Sequence, residues 1–289
     1  MRFIDAEKAT HPITMLCRPV DVSRAGYYAW SRRPPSKRAQ ADAALTEEIR
    51  VIHTKSRQTY GVPRVQATLG AAGHRVSRKR VARLMRDAGL RGCGRRRRVR
   101  TTVSDPAATP APNLVQRQFS VGELNQLWIT DLTYLWTAEG WLYLAAMLDA
   151  HSRRVIGWAM ADHLRVELAL EALEMALRER RSRSNELAHH RDRGSEYAAG
   201  AYQTVLEAHG IRCSMSRKGD CLDNAMAESF FATLKRELMP KDGWPTTEEA
   251  RAAVFEWIAV YYNRQRLHSS IGYLPPVDFE TSKELHQVA

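Results

Sequence analysis

From Leu127 to Met160 the apolar residues crowd together instead of recurring every three or four positions. LWITDLTYLW (Leu127 to Trp136) is rich in β-branched and aromatic residues and predicts a strand. EGWLYLAAMLDA, entered through the turn Glu139-Gly140, predicts a second strand. RRVIGWAM (Arg153 to Met160), after His151-Ser152, predicts a third, and the short turns make the three an antiparallel meander. The period then becomes helical, with Leu168, Leu170, Leu173, Ala176 and Leu177 forming a stripe in RVELALEALEMALRERR. ELAHHRD predicts a short strand ending near Asp192, AAGAYQTVLEAHG a helix closed by Gly210, and IRCSMS a further strand. A helix around Glu228, with Ala225, Phe231 and Leu234 apolar, and another from about Glu248 to Asn263 complete this half. Three strands, helix, strand, helix, strand, helix describe an α/β fold, a mixed sheet flanked by helices.

The first half reads as helical throughout. VSRAGYYAW predicts a short helix, Pro34-Pro35 a break, and a longer helix starts at about Ala41. Pro63 suits a first helical turn, Val65 and Leu69 are four apart, Gly70 and Gly73 bracket a turn, and Ser77 caps a second helix containing Val81, Leu84 and Met85. Arg78, Lys79, Arg80, Arg83 and Arg86 decorate that second helix. The pattern is helix-turn-helix, over about residues 60–92, with a basic helix suited to a major groove. The plainer alternative is an ordinary helical hairpin.

Charge sharpens this division. Residues 1–118 carry 25 Lys and Arg against 8 Asp and Glu, whereas the remainder carries 19 against 24. A basic half suits a polyanion through counterion release. RGCGRRRRVR, with Arg95, Arg96, Arg97 and Arg98, tracks a phosphate backbone or forms a solvated tail. The stretch 101–118, with Pro106, Pro110 and Pro112, reads as a linker. The expected domains are therefore a helical DNA-binding region over 1–100, the linker over 101–118, and an α/β core over 119–289 with a helical tail. No apolar run approaches the roughly 18 residues of a membrane helix. The N-terminus lacks the apolar stretch of a signal peptide. Four cysteines without a CxxC pair point to thiols in a reducing cytoplasm.

Three carboxylates then stand out. Asp131 lies inside an apolar strand, where a charge is costly unless it is paired or metal-bound. Asp192 sits where the fourth strand ends, and Glu228 one turn into its helix, behind a loop carrying Arg217 and Lys218. Singly, each has a plain reading: a satisfied strand Asp, a turn residue before Gly194, a solvent-facing Glu. If the first and fourth strands are neighbours, the three meet, and hard oxygen donors suit Mg²⁺ or Mn²⁺. Two such ions roughly 3.5–4 Å apart can serve attack and departure at a phosphodiester.

These residues and their surroundings resemble the Asp-Asp-Glu transposase and retroviral-integrase superfamily. The segments WITDLTYLWTAEGWLYLAAMLD, SRRVIGWAM, HHRDRGSEY, SMSRKGDCLDNAMAESFFATLKREL and YYNRQRLHSSIGYLPPVDFE carry the likeness, as do VSRAGYYAW and YGVPRV. Between Asp192 and Glu228 lie 35 residues, a common family spacing. The chain is similar to the second-frame product (OrfB) of the IS-three family of bacterial insertion sequences.

The resemblance implies an RNase H-like integrase catalytic core with Asp131, Asp192 and Glu228 as catalytic metal ligands. It implies DNA contacts at Arg217, Lys218, Asn224 and Lys235, and at Arg264 and Arg266 in the tail. Asn224 also reads as a helix cap, and Lys235 as a solvent-facing residue. The implied activity is cleavage and strand transfer at element ends. The implied partners are double-stranded DNA (element ends and target), a first-frame protein or frameshift fusion, and further copies of the chain, acting in the bacterial cytoplasm at the nucleoid. Arg191 departs from the small polar residue expected before Asp192 and is placed to repel metal or clamp a phosphate; Leu222 replaces an aromatic. The rival readings are an RNase H-like nuclease unconnected to a mobile element, and a catalytically silent DNA-binding relic.

Overall fold

The computed structural model describes residues 1–94, 113–115, 119, 121–180, 187–192, 200–216 and 224–288. The linker and Arg95 to Arg98 fall almost wholly outside these residues, as do Arg217, Lys218 and Leu222.

Three short helices open the chain: α1 (Arg2–Glu7), α2 (Ile13–Cys17) and α3 (Arg24–Ser31). Ile4, Leu16, Cys17 and Tyr27 bury against one another. Helix α4 (Lys37–Lys55) starts a turn before Ala41, because Ser36 accepts the Ala39 N–H. Its first residues are polar and exposed, so hydrophobic spacing alone missed them, whereas the capping serine marks the start.

Helices α5 (Val62–Ala71) and α6 (Arg78–Asp87) follow, with Pro63 in the first turn of α5 and Ser77 capping α6. Gly73 takes φ +89°, a conformation that strains other residues, and so allows the turn between them. Leu45, Ile49, Val65, Leu69, Val81, Leu84 and Met85 form their shared core.

The α/β half is a five-stranded sheet in the order β3-β2-β1-β4-β5. Its strands are β1 (Leu127–Thr137), β2 (Gly140–Asp149), β3 (Val155–Ala161), β4 (Ala188–Arg191) and β5 (Arg212–Met215). The first three form the antiparallel meander; β4 runs parallel to β1, and β5 parallel to β4.

One face is covered by α7 (Val166–Arg180) and α8 (Gly200–Ala208). Gly157 on β3 makes the α7 contact close, since a Cβ there would lie 2.1 Å from the Ala172 carbonyl oxygen. The other face is covered by α9 (Ala225–Glu237) and α10 (Thr247–Glu256). Phe230, Phe231 and Leu234 of α9 pack on Leu135, Leu142 and Leu144 of the sheet. Each such fully buried side chain contributes about 1.5–3 kcal/mol.

The sequence predicts one helix from Glu248 to Asn263. The chain instead switches to a π-helical turn at Trp257–Tyr262. That turn faces Trp257, Ile258, Tyr261 and Tyr262 into the core. It delivers Asn263 to the edge strand, where its side chain bonds both the N–H and the carbonyl of Val155, at 3.0 and 2.9 Å. A short 3₁₀ turn (Ser269–Ile271) and α11 (Pro276–Val288) end the chain.

The helical half docks on this tail. Tyr261 Oη donates to the Ser56 carbonyl at 3.1 Å and lies 3.0 Å from Thr59 Oγ1. Tyr60 Oη accepts the Leu267 N–H at 2.8 Å, and Arg64 donates to the Leu267 carbonyl at 2.9 Å. Arg57 pairs with Glu256 and stacks over the Tyr261 ring.

Candidate active site

The parallel pairing of β1 with β4 sets Ile129 opposite His190. Carried two residues further, that register places Asp131 beside Asp192, on the same face of the sheet. Helix α9 lies over this face and is anchored at its start, where Asn224 Nδ2 donates to the Thr130 carbonyl at 3.3 Å. Glu228 is one turn on from Asn224 and is half-buried. Lys235 is two turns further along the same side.

The electrostatics of Asp131 follows from these neighbours. Burial raises the Asp131 carboxyl well above its ordinary range, and the charges of Asp192 and then Glu228 raise it further. The Leu132 N–H, donating to Asp131 Oδ1 at 2.8 Å, and the Lys235 ammonium pull the other way. Lys235 is itself lowered by burial, and its Nζ sits 4.6 Å from the Tyr134 ring centroid. Asp131 thus has two further carboxylates, Asp192 and Glu228, close enough to oppose its ionisation, and a cation, Lys235, at its margin. Among the described residues no group of three or more His, Cys, Asp or Glu side chains is drawn tightly enough together to hold a metal by itself.

Arg191 does not stand where the sequence placed it. Successive strand residues alternate faces, so Arg191 points away from Asp192. It is fully buried on the α8 side, its guanidinium carbon 5.9 Å from the Tyr202 ring centroid. Tyr202 Oη lies 3.0 Å from His189 Nε2. Burial, with Arg191 and His190 alongside, pulls His189 down to about 3 and keeps it neutral.

Other expectations separate. Asn224 occupies the cap position of α9, but its side chain makes no cap bond; it ties the helix to β1 instead. Arg78 and Lys79 are exposed on α6. Arg80 and Arg83 both pair with Asp42 of α4, at 2.6 Å, so they brace the helical module from within. Arg264 is exposed. Arg266 is buried in a two-pronged pair with Glu237, at 2.8 Å from each carboxylate oxygen, and offers nothing to a DNA surface.

The sequence reading passed over His190, Ser214 and Ser216, which cluster behind Asp192. No spacing rule marks them; only strand alternation, once β4 and β5 are paired, brings them together.

Family models match both halves of the chain. Residues 123–221 and 209–276 match integrase core domain families, and residues 40–99 match an HTH-like domain. The 31 kDa protein of insertion element IS600 from Shigella sonnei is 42% identical over 95% of this chain and all of its own length. The transposase InsF for insertion sequence IS3A from Escherichia coli K12 is 40% identical over 96% of this chain and 97% of its own. The crystal structure of the BIV integrase catalytic core, 16% identical, covers 57% of this chain and 99% of its own, with a TM-score of 0.40. By its near full-length match to InsF and its integrase core, the chain belongs to the IS3 family of DNA transposases.

Proposed function

We propose that the chain cuts DNA at insertion-sequence ends and joins the freed 3′-hydroxyl to a second phosphodiester, with Asp131, Asp192 and Glu228 at the chemistry. The observation that carries this is the raised Asp131 carboxyl, with the charges of Asp192 and Glu228 among its causes, at the point where β1, the end of β4 and α9 converge. These three residues would hold Mg²⁺ or Mn²⁺, two ions by the chemistry of phosphodiester exchange. When bound, the ions activate the attacking oxygen and stabilise the leaving one.

The chain's own groups do the remaining work. Asp131 must lose its proton before it can ligate, and the Leu132 N–H and Lys235 favour that loss. Asn224 fixes the height of α9 over β1 and so the reach of Glu228. Lys235, held against Tyr134, supplies positive charge where a strand's phosphate would lie. Water is the first nucleophile and the liberated 3′-hydroxyl the second, so no covalent protein–DNA bond is required.

Arg78 and Lys79 contact element-end or target duplex. A domain division at 1–100, 101–118 and 119–289 suits this allocation of DNA binding and chemistry. Two ends must be held together, which calls for more than one copy of the chain. A first-frame protein or frameshift fusion is a further partner in this reading. Among the described residues no helix is long and apolar enough to cross a membrane, and the working place is the bacterial nucleoid.

The test is cleavage of labelled element-end DNA with Mg²⁺ by wild type and Glu228→Gln. Nicking that disappears in the variant supports the reading. Equal nicking by both sinks the assignment of Glu228. Cleavage of an RNA–DNA hybrid without element ends favours the stand-alone nuclease, and binding without cleavage favours the silent relic.

A further inference from the structure

Asp192 stands one residue past the end of β4. The backbone before it is nevertheless held. The Arg191 carbonyl accepts from the Ser216 N–H at 2.9 Å and from Ser216 Oγ at 3.2 Å. Ser216 Oγ lies 3.2 Å from His190 Nε2, and His190 Nδ1 lies 2.8 Å from Ser214 Oγ. Ser214 Oγ in turn accepts the Leu114 N–H at 3.0 Å. His190, Ser214 and Ser216 are all buried.

Proton counting gives this chain a direction. A hydroxyl has one proton to donate, and a carbonyl only accepts. Ser216 therefore gives its proton to Arg191 and receives one from His190 Nε2. When the imidazole is neutral with its proton on Nε2, Nδ1 accepts and Ser214 donates there, leaving an acceptor position for Leu114. The relay runs from the Leu114 N–H through Ser214, His190 and Ser216 to the Arg191 carbonyl. Strand alternation puts His190 on the face that carries Asp192.

We infer that His190 is a positioning residue for Asp192: by orienting the Ser216 hydroxyl it fixes the peptide from which Asp192 projects, and it ties that peptide to the point where the linker lands. The inference rests on the reading of Asp192 as a metal ligand. Partners of this kind set ligand direction, and their loss typically costs about 10–100-fold in metal affinity.

The experiment uses the full chain and Mn²⁺ alone as probe, titrated by electron paramagnetic resonance. Melting curves and DNA-binding affinity are measured in parallel. His190→Phe and Ser216→Ala are each expected to weaken Mn²⁺ binding about tenfold, with DNA affinity unchanged. The double variant should lose no more than the worse single one. His190→Gln, whose terminal amide can still donate to Ser216, should recover most of the loss. Nitrogen-15 NMR of the wild-type imidazole should show a slowly exchanging proton on Nε2.

A proton on Nδ1 instead, or wild-type Mn²⁺ binding in a folded Ser216→Ala, overturns the inference. Asp192→Asn separates the two levels. If it abolishes Mn²⁺ binding while His190→Phe and Ser216→Ala leave it intact, the positioning role fails alone. If Asp192→Asn binds Mn²⁺ normally, the site reading itself fails and takes the positioning role with it.

Discussion

The Asn224 side chain donates to the carbonyl of Thr130 at 3.3 Å, joining the start of the Glu228 helix to the residue before Asp131. The bond is buried, and it is the registration pin between two of the three carboxylates. Asn224→Ala should cost about 1 kcal/mol of stability. Its effect on catalysis should be larger, because a misplacement of about 1 Å can cost on the order of 100-fold in rate. The expected result is end cleavage down at least about tenfold with DNA affinity unchanged. Matched losses in cleavage and in binding would instead mean that Asn224 contacts DNA directly.

Asp131 carries a stability cost that function explains. Its carboxyl is raised in the folded chain by burial and by Asp192 and Glu228. A group with a raised folded-state pKa favours folding when protonated. That contribution is present below the ordinary carboxylate range and is lost as pH climbs through the raised value. At neutral pH the metal-free protein therefore carries a cost that Asp131→Asn removes, because the carboxyl ionises more readily in the unfolded chain. The variant should melt a few degrees higher than wild type at pH 7, by about 1 kcal/mol, and the gap should close on acidification. It should also be inactive. In wild type, acidification should weaken metal binding as Asp131 takes up its proton.

Part of the arrangement around Asp131 was legible from the chain alone, for definite reasons. The position of Asp131 inside an apolar strand was plain from the chain, while the order of elements only allowed β1 and β4 to be neighbours, a pairing the structure makes. The orientation of Arg191 was not legible, because it turns on which face a four-residue strand gives to the helices, and a single-residue shift reverses it. The internal use of Arg80 and Arg83 was hidden as well. Their partner, Asp42, lies on a helix whose packing angle no local pattern records. The docking of Tyr60 onto Leu267 is a contact across 207 positions, beyond any periodicity.

The basic helix α6 therefore divides into two kinds of cation. Arg78 and Lys79 are exposed, and each, changed to Ala, should weaken DNA binding evenly across sequences. Each should also lower the salt slope by about one. Arg83 is held above its ordinary pKa chiefly by its bond to Asp42. Arg83→Ala should lower the melting temperature and leave the salt slope unchanged. Mobility shifts over a series of salt concentrations, paired with melting curves, distinguish the two kinds.

The Arg266–Glu237 pair sets the firmest expectation about the tail. Only 5% and 3% of the two side chains is exposed, and the pair joins the end of α9 to the segment on which Tyr60 and Arg64 dock. Burial works against the Arg266 charge, but the bonds to Glu237 more than offset it and raise the guanidinium above its ordinary value. Removing one partner leaves the other charge buried and uncompensated, at a cost of about 3–5 kcal/mol. Arg266→Met should accordingly be severely destabilised in urea unfolding. Replacing both partners removes the orphaned charge, so Arg266→Met with Glu237→Leu should recover most of the loss. If the double variant is as unstable as Arg266→Met, the destabilisation comes from lost packing around the guanidinium stem, beside Tyr262 and His268, and not from the stranded carboxylate.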